Sequence, residues 1–370
     1  MSAGPDPART GRVDEPRMDE PADEAVSERE RADLAAARAG DEAAFARLVE
    51  PHRRALHAHC YRMLGSVHDA DDALQEALLG AWRGLSGFEG RSALGSWLFR
   101  IATNASLRVS ERRGRRMLAY EHGPSRRAVR DLGEPVTESV FVEPYPDSGL
   151  GEWSGDHDPA ARYELRESVE LAFVAALQAL PATQRAVLVL RDVLAIPAAE
   201  VAETLDTSVA AVNSALQRAR GTMQRRLGPE SQQSRLRALG DDGQRALVDG
   251  LVRAWEQHDV DGIVGLLAED VRLTMPPLPA WYDGRGAIRQ FFAERMFKND
   301  WRLVPTGANS QLAVVCYMRA PGDKAFMLSS LVVISVRRRE ITALDGFLDP
   351  AVHRPFGLPA EVPEDLHADR

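Results

Sequence analysis

The sequence predicts two all-helical modules followed by an α+β domain, and three observations carry that prediction. Apolar residues recur at helical spacing through two stretches, about 33–116 and 159–227. After residue 241 the texture changes, and two helical patterns lead into short strand-like runs. Around these stretches Pro, Gly and acidic residues accumulate and the periodicity disappears. A chain of 370 residues also exceeds one ordinary domain, so several units in series are expected.

Residues 1–32 read as a disordered acidic tail, because so few apolar residues cannot offset the entropy of ordering. In 33–118, Phe45, Leu48 and Val49 repeat at helical spacing, as do Leu74, Leu78, Ala81 and Leu85. Leu94, Trp97, Leu98, Ile101 and Ala105 form a third stripe, completing a compact helical domain. Residues 119–158 contain HGPSR, GEPV, EPYPDSG and SGDHDP and read as an acidic linker. Residues 159–228 form the second helical module. In 241–352, helices over 244–257 and 260–268 precede strands over 271–275, 312–318, 325–336 and 341–347. A helix over 286–297 follows the first strand, and this order predicts a sheet curled over helices. Residues 353–370 read as a tail.

Composition narrows the function. Hydrophobic residues make up 44% and charged residues 27%, as in globular chains. No run of about 18 apolar residues occurs, and the opening MSAGPDPARTGRVDEP lacks the apolar core of a secretory signal. A cytoplasmic protein with no membrane partner is expected. Two distant cysteines, Cys60 and Cys316, exclude a disulfide framework and a Cys-based structural zinc site. The net charge of −9 hides segregation: 1–30 carries −5, 100–130 carries +7 and 131–160 carries −8. A basic stretch of that kind can bind a phosphate backbone while the whole chain stays acidic.

Residues 196–223 read IPAAEVAETLDTSVAAVNSALQRARGTM. Pro197 suits a first helical turn. Ala198, Val201, Ala202 and Leu205 make one apolar face. Asp206 and Thr207 break the pattern, and Ser208 is a good N-cap for a second helix. There Val209, Val212, Leu216, Ala219 and Met223 are expected inside, with Asn213, Ser214, Gln217, Arg218 and Arg220 outside. Two short helices, the second with a polar outer face, form a helix-turn-helix pattern. Amides and guanidinium groups on that face can reach base edges in the major groove. Upstream, Asp69, Asp72 and Glu76 at i, i+3 and i+7 are expected on one exposed helix face. Arg100, Asn104 and Arg108 share a face of the next helix, with Trp97, Phe99 and Tyr61 as nearby aromatic surface, a combination that suits single-stranded nucleic acid.

Together these segments resemble the bacterial sigma-70 family, specifically its extracytoplasmic-function (ECF) group. DADDALQEALLGAWR is similar to region 2.2, which implies that Asp69, Asp72, Ala73, Leu74, Gln75 and Glu76 dock on the clamp of the largest subunit of core RNA polymerase. FEGRSALGSWLFRIATNASL is similar to regions 2.3 and 2.4, which implies that Arg91, Ser92, Trp97, Arg100, Asn104 and Arg108 melt and hold the −10 element. LQALPATQRAVLVLRDVLAIPAAEVAETLDTSVAAVNSALQRAR is similar to region 4. That implies a −35 reader built on Ser208, Asn213, Ser214, Gln217, Arg218 and Arg220, with the flap of the second subunit as a further partner. The resemblance covers roughly 41–116 and 160–227, and region 3 is missing, as in the ECF group. DGLVRAWEQHDVDGIVGLLAEDVRLTMPPLP and WYDGRGAIRQFF resemble SnoaL-like domains of the NTF2 superfamily, which form a cone-shaped α+β fold. A subset of ECF factors carries that domain after region 4, and within it the chain resembles the actinobacterial sigma-G type. The implied protein initiates transcription at promoter DNA, needs no cofactor or metal and performs no catalysis. An anti-sigma partner is compatible with the resemblance but not implied. Two domains suffice for initiation in the group, so the third is expected to be regulatory.

The sequence departs from the family pattern in places. Gly80 stands where a larger residue is usual, and Gly costs about 1 kcal/mol relative to Ala inside a helix. Asp206 replaces the usual turn glycine, and Asn213 and Ala215 stand where basic residues are frequent.

Other chemistries are less well supported. His52, His57, His59 and Cys60 cluster, but His57 and His59 point to different sides of a helix. His258, Asp270 and Asp283 are candidate acid–base groups in the last domain, although Asp259 or Asp261 is expected to start a helix and Asp283 sits in a turn. Met275, Trp281, Tyr282 and Phe347 are candidates for an apolar pocket. A helix-turn-helix regulator with a ligand-sensing C-terminal domain would account for 196–223 and 241–350 but leave 68–116 unexplained. An enzyme in the C-terminal cone would explain nothing before residue 240.

Overall fold

The computed structural model describes residues 20–90, 93–126, 128–136, 138, 140–150 and 166–363, with side chains from residue 28 onward. The first module holds α1 (Glu20–Arg38), α2 (Glu42–Leu64), α3 (Val67–Gly84) and α4 (Leu94–Arg113). The tail expected to be unstructured to residue 32 is therefore helical from Glu20. Buried Ala37, with Leu34 and Ala36, packs into the helical core, and Asp33 pairs with Arg47 at 2.6 Å. Tertiary contact supplies the order that local composition does not. Asp41 starts α2 by accepting the Ala43 and Ala44 N–H groups. The helix stops at Gly65, φ 69°, where a Cβ would lie 3.1 Å from the Gln178 side chain. That position needs glycine for its left-handed turn, and the second module approaches closely there.

The second module holds α5 (Leu171–Gln178), α6 (Ala182–Leu188), α7 (Ala198–Thr204) and α8 (Val209–Arg226). Asp206 takes the left-handed conformation of the turn, φ 48°, and Ser208 caps α8 through the Ala211 N–H. Val212, Leu216, Ala219 and Met223 are buried as the period requires, together with Ala215. Val209 is not: at the first position of α8 it is 44% exposed, because the apolar stripe begins one turn later.

The third domain opens with α9 (Gln232–Glu256), broken at Gly240, then α10 (Val260–Leu266). Its strands are β1 (Leu267–Thr274), β2 (Trp281–Asp283), β3 (Asp300–Ala308), β4 (Gln311–Arg319), β5 (Phe326–Arg337), β6 (Glu340–Phe347) and β7 (Glu361–Val362), with α11 (Gly284–Glu294) between β2 and β3. The order is β2-β1-β6-β5-β4-β3, with β7 on β5. β1 and β6 run parallel, and the other pairs are antiparallel. Three strands were not expected: β2, β3 and β7. β2 is three residues long and lies where a turn was expected at Asp283. β3 contains Pro305 and Gly307, which suppress a strand signal, but an edge strand tolerates a missing N–H. β7 comes from the expected C-terminal tail, where buried Val362 pairs with Phe326. One sheet face, with Leu273, Val314, Val332 and Leu344, packs on Trp255, Phe291 and Phe292 of its own helices. The other, with Val315, Tyr317, Leu331 and Val333, joins the core of the two helical modules.

The linker is described to residue 150. Its described residues hold two short helical turns and isolated bridges at Phe141 and Pro146, and it is pinned. Arg126 N–H donates to Trp281 O at 2.8 Å and Val136 N–H to Pro277 O at 2.9 Å. Val129 is buried in the core of the third domain, and Tyr145 is buried against Tyr61. Two of its described acids are paired: Asp131 contacts Arg126 at 3.5 Å, and Glu143 contacts Arg116 at 3.3 Å.

Candidate polymerase and nucleic-acid interfaces

On α3 the expected acidic face divides. Asp72 and Gln75 are exposed, and Glu76 is half-buried and accepts from Arg108 at 2.9 Å. Asp69 is not available to a partner: it is 3% exposed and pairs with Arg116 at 2.6 Å. It shares the helical angle of Asp72 and Glu76, but the chain after α4 returns over the first turn of α3 and covers it. Ala73 and Leu74 also point inward. The helical sequence reading missed Leu79, which is 49% exposed and lies between grooves of about 690 and 400 Å³. Its position seven residues after Asp72 puts both on one face, which was the available signal. Gly80 faces Ile101 of α4, where a Cβ would lie 3.4 Å from that side chain. Close helix packing thus accommodates the departure.

Arg91 and Ser92 lie outside the described residues. On α4, Arg100 is exposed and Asn104 half-buried. Arg108 is exposed but tied to Glu76. Trp97 is half-buried, with its ring 5.0 Å from that of Phe88, so one side is already covered. On α8, Asn213, Ser214, Gln217 and Arg218 form a continuous exposed face. Ser208 is spent on its cap, and Arg220 pairs with Asp192 at 2.6 Å, which also raises the guanidinium pKa.

The three modules meet at one buried junction. Arg185 donates to Met63 O and to Gln178 Oε1, the latter at 2.6 Å, and burial lowers its pKa to about 10. From the third domain, the β3–β4 turn inserts Asn309, which is fully buried. Its Nδ2 donates to Tyr61 Oη at 2.8 Å and to Val169 O at 2.7 Å, and its Oδ1 accepts the Tyr145 N–H at 2.9 Å. One side chain therefore touches the first module, the linker and the second module. Ser310 N–H donates to Asp147 at 2.7 Å, and Gln311 Oε1 accepts the Leu171 N–H at 2.9 Å. Glu170 accepts the first N–H groups of α9, and burial pushes its carboxyl up to about 7 and that of Asp147 to about 6.

The other candidates are held in structural contacts. His57 Nδ1 lies 2.7 Å from Tyr145 Oη and His59 Nε2 2.9 Å from Thr103 Oγ1. Among the described residues no group of three His, Cys, Asp or Glu side chains could hold a metal ion, and no helix is long and apolar enough to cross a membrane. Asp259 caps α10, and Asp270 pairs with Arg337 at 2.6 Å. Met275, Trp281, Tyr282 and Phe347 do not line one pocket. Met275 and Tyr282 are buried in the cone core, Phe347 lies in the core on the other face, and Trp281 Nε1 donates to Gly123 O.

Residues 48–116 match the family description Sigma-70 region 2, residues 170–223 match Sigma-70, region 4, and residues 248–344 match SnoaL-like domain. The ECF RNA polymerase sigma factor SigG of Mycobacterium tuberculosis is 42% identical over 320 residues, covering 85% of this chain and 84% of that one. The ECF RNA polymerase sigma factor SigW of Bacillus subtilis is 27% identical, covering 51% of this chain and 91% of its own. The crystal structure of the Mycobacterium tuberculosis extracytoplasmic function sigma factor SigJ aligns with a TM-score of 0.52 at 22% identity, over 83% of this chain and 97% of that one, a likeness of fold. With both helical modules and the C-terminal domain in the same order as in a relative of nearly full coverage, the chain belongs to the ECF RNA polymerase sigma factors.

Proposed function

We propose that this sigma factor docks on the clamp of the largest polymerase subunit through the outward face of α3, with Asp72, Gln75 and Leu79 at its centre. The apolar groove beside Leu79 carries this reading: Phe45, Leu78, Leu79 and Trp82 line it together, rimmed by Glu42, Arg53, Asp71 and Gln75, and a contiguous apolar surface with a polar rim marks an association site. Region 4 contacts the flap of the second subunit, Arg100, Asn104 and Trp97 hold the −10 strand, and α8 reads the −35 duplex through Asn213, Ser214, Gln217 and Arg218. The protein works in the cytoplasm without catalysis or cofactor. The third domain restrains regions 2 and 4 through Asn309, so no separate anti-sigma protein is needed for basal control.

Asp72→Arg is expected to weaken core binding by about tenfold or more while leaving the fold intact, because a like-charge clash with a basic clamp costs several kcal/mol. Affinity for core RNA polymerase, measured by pull-down or anisotropy, checks it, and wild-type affinity would sink the docking surface. Gln217→Ala and Arg218→Ala are each expected to lose about 1–3 kcal/mol of base discrimination. Reconstituted transcription from a randomised −35 library reads this directly, and an unchanged preference would remove both residues as readers.

A further inference from the structure

The segment that enters the proposed −10 surface is held from a helix outside the matched sigma region. A 3₁₀ turn, Leu85–Gly87, ends α3, and its chain leads on to Phe88. Leu85 O accepts the Phe88 N–H at 3.2 Å and keeps a second lone pair, and Phe88 O lies just past the turn in extended backbone. Arg38, the last residue of α1, reaches across to them: Nε donates to Leu85 O at 3.5 Å, and Nη2 donates to Phe88 O. α1 is itself fixed to α2 by the Asp33–Arg47 pair at 2.6 Å. From the other side, Phe88 packs on Trp97 of α4. The start of the loop is therefore clamped between α1 and α4. The match to sigma region 2 begins at residue 48, so α1 lies before it.

We infer that Arg38 is a positioning residue for capture of the −10 strand. It touches no base. It fixes the two carbonyls from which the loop springs, and so fixes where Phe88 and, through it, the Trp97 ring stand. A guanidinium suits this task because one fork spans two carbonyls three residues apart, whereas an ammonium is a point donor. The inference rests on the reading of Trp97, Arg100 and Asn104 as the −10 surface, and the experiment separates the two.

Holoenzyme is assembled with wild-type, Arg38→Ala, Arg38→Lys and Trp97→Ala factors. Three quantities are measured: affinity for core polymerase, affinity of holoenzyme for a fluorescent single-stranded −10 oligonucleotide, and permanganate reactivity of a duplex promoter. Arg38→Ala is expected to bind the oligonucleotide about tenfold more weakly, as loss of a charge-assisted hydrogen bond implies. Promoter opening should fall in parallel, with core affinity unchanged, the melting temperature lowered by only a few degrees and Arg38→Lys intermediate. Wild-type oligonucleotide affinity in Arg38→Ala beside a loss in Trp97→Ala overturns the positioning role. No loss in either variant overturns the −10 reading, and the inference with it. A parallel fall in core affinity, or a melting temperature lowered by more than about 10 °C, makes Arg38 a general structural residue and also overturns it. Should Arg38→Ala not fold, Arg38→Lys decides: weakened oligonucleotide binding in a stable Lys variant supports the inference, and wild-type binding overturns it.

Discussion

Replacing Arg116 by alanine is expected to destabilise the protein by about 3–5 kcal/mol, the range for removing one partner of a buried ion pair. Arg116 and Asp69 side chains are each 4% exposed, and their charged atoms lie 2.6 Å apart. The same guanidinium donates to Phe141 O at 2.9 Å and reaches Glu143 at 3.3 Å. Glu143 in turn accepts from Ser66 Oγ at 2.9 Å and from the Val67 N–H at 3.0 Å, at the start of α3. Burial pushes the Glu143 carboxyl up, but His68, Arg116 and Ser66 outweigh it and hold the group below the usual carboxylate range. Without Arg116, Asp69 keeps only the more distant and exposed Arg113, at 3.5 Å, and Glu143 keeps His68 at 3.0 Å. Urea unfolding checks the expectation, with a lower midpoint at unchanged slope. Arg116→Lys should recover only part of the loss, because an ammonium cannot span Asp69, Phe141 O and Glu143 together. The double replacement Asp69→Leu with Arg116→Met should be less damaging than Arg116→Ala alone. A loss under about 1 kcal/mol for Arg116→Ala would show the pair to be solvated in solution.

This pair also marks where reading from sequence stops. The helix-turn-helix was legible because its determinants are local. Ser208 caps α8, Asp206 tolerates the left-handed turn, and Val212 to Met223 recur at helical spacing. The outward position of Asn213, Ser214, Gln217 and Arg218 follows from the same period. Asp69 lies at the right helical angle for the exposed face, and only the return of the chain at Arg116 buries it. A period places residues around an axis and is silent about what later covers them. α1 was hidden for the same reason, since its order depends on contacts with α2 rather than on its own composition. β3 was hidden by Pro305 and Gly307, which are compatible with a strand only because the topology leaves it at the edge. The linker looked like a spacer, yet Val129 and Tyr145 are buried and Glu143 fixes α3. No residue before 300 signals that a hairpin tip will reach Tyr61.

That tip carries the second large expectation: Asn309→Gly should release regions 2 and 4 from each other and raise transcription several-fold when the factor is limiting. Glycine is the clean replacement because Asn309 and Ser310 have φ of 57° and 54°, a two-residue turn that glycine makes without strain. The turn survives, and what disappears is the side chain that joins Tyr61, Tyr145 and Val169. The Tyr145 N–H and the Val169 carbonyl then stay buried without that partner for as long as the junction is closed. Each such group costs about 1–3 kcal/mol, and opening to water removes the cost. The closed arrangement should thus lose on the order of 2–4 kcal/mol against the open one. The expectation rests on regions 2 and 4 separating to grip two promoter elements, and here they share a core in which Arg185 holds Met63 O and Gln178 holds Arg62 O. A factor already biased toward opening gives up less of its binding free energy to core polymerase and DNA. Energy transfer between dyes on exposed positions of α3 and α8 should fall in the variant, and the radius of gyration should rise. Reconstituted transcription should increase without a shift in start site, because no reading residue is altered. A folded Asn309→Gly factor with wild-type energy transfer and wild-type output would mean that the hairpin does not restrain the two regions. Lower output with the same opening would mean that the third domain assists initiation instead of holding it back.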